Sequence, residues 1–249
     1  MRRVSILLAL VLLLPFAAGA SPRPVEVHQF LTIPRPETKI AALTLDACGG
    51  GYDAKLIRFL VEERIPATVF ATRKWIERNA EGAAMLRSHP ELFDIEDHGA
   101  NHVPAVIGPG RRVYGIAGNL DVAHLESEVR DGAAAVEAMT GNAPHWYRGA
   151  TATYDAQALR VIVAMGYKVA GFSINADAGA TLKRGAIVAR LNAVRPGDII
   201  IAHMNKPGSD TAGGLAGGLN SLRVRGFRFV TLLEMEARPA ESIGRSVPL

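Results

Sequence analysis

The chain has 249 residues, room for one sizeable core, and carries 28 Lys and Arg against 24 Asp and Glu for a formal net charge of +4. That balance is too small to mark a nucleic-acid binder. The only cysteine is Cys48, which excludes an intrachain disulfide framework.

The first twenty residues read as a secretory signal peptide. Arg2 and Arg3 form a basic start, Val4 to Leu14 is an apolar run, and Ala18-Gly19-Ala20 is a small-residue cleavage site. An uncleaved anchor is the alternative reading. The run is short for a bilayer span, and no later segment approaches the roughly 20 apolar residues required. No stable membrane insertion is expected after cleavage. The remaining 229 residues, starting near Ser21, then have a net charge of +2. Export without disulfides points to a bacterial periplasm or exterior rather than to a disulfide-dense secreted domain.

Residues 21–38, with Pro22, Pro24, Pro34 and Pro36, form an extended arm. A regular pattern follows. Ile40–Leu45 is an apolar strand ending at Asp46, Gly49-Gly50-Gly51 turns the chain, and Asp53 is placed to cap a helix bearing Leu56, Ile57, Leu60 and Val61. Ala67–Ala71 is a strand, 74–87 largely helix, and Phe93–Glu96 a third strand. A loop over 103–118 leads to a helix from about Asp121 to Thr140, stopped by Gly141. Beyond it the pattern predicts strands at 146–148, 168–172, 198–202 and 227–232. Helices are predicted at 156–165, 187–194 and 213–225.

About seven strands alternating with helices argue for parallel strands joined by crossover helices. The expected architecture is a single-domain α/β fold over 39–235, a distorted (β/α) barrel. An open doubly wound sheet is the alternative, and 236–249 is a tail.

The groups just past each predicted strand are Asp46, Thr72, His98 with His102, Arg148, Asn175 with Asp177, and His203. In parallel α/β barrels the site is built at the carboxyl ends of the strands. Two histidines four apart can lean toward one ion, although such a pair alone is weak evidence. Each of the other groups has a structural reading too: Asp46 as a cap, Arg148 in an ion pair, His203 as a core histidine. Their shared location is what those readings leave unexplained.

These residues resemble the polysaccharide deacetylases of the NodB-homology fold, carbohydrate esterase family 4, over about residues 39–235. Thr44-Leu45-Asp46-Ala47 is similar to the first motif, usually Thr-Phe-Asp-Asp, and His98–His102 to the His-x-x-x-His second. Tyr147-Arg148 resembles the start of the third, Phe172–Asp177 is a loose fourth, and Pro196–His203 is very close to the fifth. The resemblance implies removal of N-acetyl groups from an N-acetylated polysaccharide or oligosaccharide. His98 and His102 would hold a divalent metal, best Zn2+, with Asp46 as base and His203 as acid. Arg148 would orient and ionise Asp46, and Asp177 would hold His203.

The departures are specific. The family's usual third ligand is the second aspartate of the first motif, here Ala47, and a methyl cannot bind zinc. Water, Cys48 or Asp53 are the substitutes, Asp53 slightly ahead of Cys48. Asn175 competes with Asp177, and Gly149-Ala150 replaces the proline-containing turn after Arg148. Two other functions stay open: a non-catalytic carbohydrate-binding protein, motivated by Ala47, and a related amide or ester hydrolase such as an acetyl-xylan esterase. Trp75, Trp146, Tyr52, Tyr114 and Tyr154 are the aromatic faces available to stack on sugar.

Overall fold

A computed structural model describes residues 23–33 and 38–236. The expected signal peptide over 1–20, part of the arm and the tail from 237 onward lie outside the described residues.

One sheet of parallel strands organises the chain. In chain order these are β1 (Ile40–Ala47), β2 (Ala67–Ala71), β3 (Phe93–Asp97), β4 (Trp146–Tyr147), β5 (Lys168–Val169), β6 (Ile174–Asn175), β7 (Ile199–His203) and β8 (Arg228–Val230). Seven run side by side in the order β5-β4-β3-β2-β1-β7-β6, while β8 pairs with the first half of β1, Ile40 to Ala42. The sheet curls into a half-barrel, the distorted barrel expected from the alternation. Between β5 and β6 it does not close. The N-terminal arm lies along that seam: Gln29 N–H donates to the Phe172 carbonyl, Phe172 N–H to Val27, and Leu31 N–H to Gly197.

The strands are apolar on both faces because both faces are covered. On β1 the pleat alternates cleanly. Ala41, Leu43, Leu45 and Ala47 belong to the core under the helices, with Leu56, Ile57 and Leu60 of α1 (Ala54–Glu62) and Leu215 and Leu219 of α7 (Thr211–Val224). Ile40 and Ala42 face the barrel interior with Phe70, Phe172, Ile199 and Ile201. Fully burying one Leu or Ile side chain contributes about 1.5–3 kcal/mol.

The helices between are α2 (Arg73–Arg78), α3 (Ala80–Arg87), α4 (Val122–Thr140), α5 (Ala156–Ala164) and α6 (Arg184–Asn192), and α8 (Leu232–Glu236) ends the described chain. Gly141 stops α4 in the left-handed conformation, φ 80°. Gly132 of α4 serves a different need. A Cβ there would lie 2.2 Å from the Asp97 carboxylate and 2.5 Å from the Gly99 backbone, so its absence lets α4 lie against the end of β3.

The 74–87 segment is largely helical as expected, in two helices broken at Asn79, whose side-chain amide donates to the Trp75 carbonyl. Other expectations are corrected. The strand predicted over 168–172 ends at Val169, because Ala170 to Ser173 carry the chain across the open seam to β6. The last strand ends at Val230, and Leu232 already begins α8. Ala150–Tyr154 is an additional strand, pairing with Val25–Glu26 and Pro104–Ala105 in a second small sheet. The 103–118 loop contains a hairpin, Arg112–Val113 with Ile116–Ala117, turned by Tyr114 and Gly115 at positive φ (48° and 79°).

Candidate active site

Strand register brings the chemistry together. His203 pairs with Asp46 across β7 and β1. Ala47 pairs with Ala71, Ala71 with Asp97 and Asp97 with Tyr147, so these strand ends are level. The next residue on each, Cys48, Thr72, His98 and Arg148, therefore leaves the sheet at one rim.

Arg148 is fully buried and reaches under that rim. Its Nη1 donates to Asp46 Oδ1 at 2.9 Å and to Thr44 Oγ1 at 2.8 Å, and its Nη2 donates to the Gly171 carbonyl at 2.9 Å. The guanidinium lies 4.2 Å over the Phe70 ring. Burial alone would raise the Asp46 pKa, but Arg148, His98 and His203 together hold it below the usual carboxylate value of 3.8.

His98 is also fully buried. Its Nδ1 is 2.6 Å from the Arg148 carbonyl oxygen, to which only an N–H can donate, so Nε2 is the nitrogen turned to the site. That Nε2 lies 3.7 Å from Asp46 Oδ2 and 3.6 Å from Cys48 Sγ. Burial disfavours the imidazolium, yet Asp46 and Cys48 raise the His98 pKa to about 9. His102 takes the left-handed conformation, φ 64°, and its ring meets that of His98 edge-on with centroids 5.0 Å apart. The donor atoms of Cys48, His98 and His102 all lie within 4.8 Å of one another.

His203 is held by Asp177. Oδ1 is 2.8 Å from Nδ1, and Oδ2 accepts from the His203 backbone N–H at 2.9 Å and from Thr211 Oγ1 at 2.9 Å. Burial would depress the His203 pKa, but Asp177, with Cys48 and Asp46, raises it well above the usual 6.5. Asp46, Cys48, His102 and His203, with Asn175 and Tyr114, line one cavity of about 510 Å3.

Asp46, His98, His102, Arg148, Asp177 and His203 thus converge, whereas Thr72, Asn175 and Asp53 are used otherwise. Thr72 caps α2, accepting from Trp75 N at 3.0 Å, and donates to the carbonyl of Cys48. Asn175 Oδ1 accepts from Ala178 N at 2.9 Å, which leaves His203 to Asp177. Asp53 Oδ1 accepts from Leu56 N at 3.1 Å and caps α1, so the preference for Asp53 over Cys48 beside the histidines is corrected: Cys48 is the residue there. Of the aromatic residues, Trp75, Trp146 and Tyr154 are buried, while Tyr114 is 78% exposed at the tip of its hairpin.

Glu128 escaped the sequence reading. It lies on the buried face of α4, and its Oε1 accepts from Asn101 N at 2.8 Å and Val103 N at 3.0 Å, the two amides flanking His102. Its signal was a carboxylate at a core position, between Leu125 and Val129 on one side and Gly132 on the other.

The family model described as polysaccharide deacetylase matches residues 34–170. The chain belongs to the polysaccharide deacetylase family. Among solved structures, this chain is similar to a CE4 family pseudoenzyme from Bacillus anthracis (15% identity, TM-score 0.65, covering 81% of this chain and 66% of that one). It is also similar to the Bc1960 peptidoglycan N-acetylglucosamine deacetylase (18% identity, TM-score 0.67, 84% and 91%). A third is a family 4 acetyl xylan esterase from Clostridium thermocellum in complex with a cobalt ion (21% identity, TM-score 0.64, 79% and 90%). At these identities the likeness is one of fold. No curated protein sequence matches the chain.

The donor set of this family member fits a divalent metal. Two imidazoles and a thiol converge, and one imidazole is already fixed in its ligating tautomer by the Arg148 carbonyl. Among the described residues no helix is long and apolar enough to cross a membrane.

Proposed function

We propose that this protein is a metal-dependent hydrolase that removes N-acetyl groups from an N-acetylated glycan. The observation that carries the reading is the pairing of opposite charges beside one cavity. Asp46, held anionic by Arg148, stands in register with His203, held cationic by Asp177. Sugar binding alone requires no such acid–base pair.

His98 and His102 would hold the ion, zinc suiting the nitrogen donors best. When bound, it supplies Lewis acidity, polarising the acetamide carbonyl and making water a better nucleophile. Asp46 accepts the proton that water gives up as it attacks the carbonyl carbon. His203 donates from Nε2 to the departing amine as the C–N bond breaks, Nδ1 being retained by Asp177. Arg148 keeps Asp46 ionised and oriented throughout. Acetate and a free amino sugar leave. Tyr114, exposed above the cavity, offers a face for a neighbouring sugar ring.

The chain is proposed to work outside the cytoplasm, in a bacterial periplasm or secreted. The basic, apolar and small-residue succession of residues 1–20 supports this, and N-terminal sequencing of the exported protein should begin near Ser21.

The test is acetate release from acetylated chito-oligosaccharide with zinc or cobalt, against a chelated sample and against acetylated xylan. Metal-dependent release from the chito-oligosaccharide, abolished in Asp46→Asn, is expected. Release only from xylan would make it an esterase. No release despite oligosaccharide binding would make it a carbohydrate-binding protein.

A further inference from the structure

Loss of the usual second aspartate at Ala47 does not leave the rim one donor short. The pleat of β1 sends Ala47 into the helix-side core with Leu43 and Leu45, where its methyl packs. Cys48, the next residue, returns to the side of Asp46 and lines the same cavity as Asp46, His102 and His203. Its Sγ lies 3.6 Å from His98 Nε2. Two ligands of one tetrahedral zinc, sulfur at about 2.3 Å and nitrogen at about 2.0–2.1 Å, are separated by roughly 3.5 Å. The His102 donor completes a set within 4.8 Å, and Asp53 is committed to its helix cap.

We infer that Cys48, as a thiolate, is the third protein ligand of the metal, giving a centre of one thiolate and two imidazoles. The inference rests on the metal-dependent reading above and deepens it. The thiolate supplies the single negative charge a carboxylate would have supplied, from a softer atom. The centre therefore favours zinc and cobalt over magnesium, calcium and manganese, which prefer oxygen ligands.

The test is optical. The full chain is titrated with Co2+, a thiolate ligand giving a near-ultraviolet sulfur-to-cobalt charge-transfer band in addition to the visible d–d bands. The band is expected in the native protein and not in Cys48→Ser or Cys48→Asp, with Cys48→Asp retaining cobalt uptake through its carboxylate. In parallel, zinc should slow alkylation of Cys48 by iodoacetamide at least tenfold in the native protein, a readout independent of any variant's folding. Cobalt d–d bands without the charge-transfer band, or alkylation equally fast with and without zinc, overturn thiolate ligation and leave the metal-dependent reading intact. No cobalt or zinc uptake at all overturns both.

Discussion

Asp177 grips His203 twice, through Oδ1 at 2.8 Å from the ring Nδ1 and through Oδ2 at 2.9 Å from the backbone N–H. The first contact stabilises the imidazolium, and the second fixes the strand end that carries it. With His203 titrating well above 6.5 and Asp46 below 3.8, acid and base are both in their working forms across the neutral range. The acid limb of kcat/KM belongs to Asp46 and the alkaline limb to His203. In Asp177→Asn the carboxylate charge is gone, so the alkaline limb should move down toward 6.5. Activity at alkaline pH should fall by about 10²–10⁴, the range of general-acid contributions. A pH–rate profile reads it directly, and an unmoved alkaline limb would reject His203 as the acid.

Arg148 directs its donors to Asp46, Thr44 and the Gly171 carbonyl with no access to solvent. Arg148→Met should cost about 3–5 kcal/mol, because it leaves Asp46 buried without its partner. Asp46 titrates lower folded than unfolded, so the native pair's stabilisation is complete above 3.8 and is lost as the pH falls through the folded value. In the variant the folded-state pKa of Asp46 is higher, so protonation relieves the unpaired charge and the stability deficit against the native protein shrinks as the pH falls, while the acid limb of activity moves to higher pH. Denaturant unfolding at several pH values, with the rate profile, checks both.

Glu128 should control metal affinity without touching the metal. Removing its carboxylate in Glu128→Ala frees the amides of Asn101 and Val103 and with them the left-handed His102. Affinity for zinc should fall by about 10–100-fold, the usual effect of losing a support behind a ligand. Glu128→Gln keeps an oxygen for both amides and should lose less. Competition titration with a chromophoric chelator distinguishes the two.

Tyr114→Ala should raise KM for longer oligosaccharides while leaving kcat nearly unchanged. Loss of one stacking face corresponds to about 0.5–1.5 kcal/mol, or about 2- to 10-fold. A disaccharide too short to reach the hairpin should show no change.

The chain's own order of residues carried the alternation of strands and helices, because apolar periodicity and turn chemistry act over a few residues. Asp53 as a cap and Gly141 as a stop are local events of that kind, and both stand as read. The rim was legible for a similar reason: parallel strands ending level place the residue after each strand together, whatever the helices between them do. Local pattern could not choose between Asn175 and Asp177, two polar residues on one turn. That choice depends on which of them meets the end of β7 from a strand far away in the chain. Nor could it find Glu128, which acts on a loop 25 residues before it. The ligand question turned on a single step of the β1 pleat, which directs Ala47 to the helices and Cys48 to the histidines. Only packing on both faces of the sheet decides which way that step points.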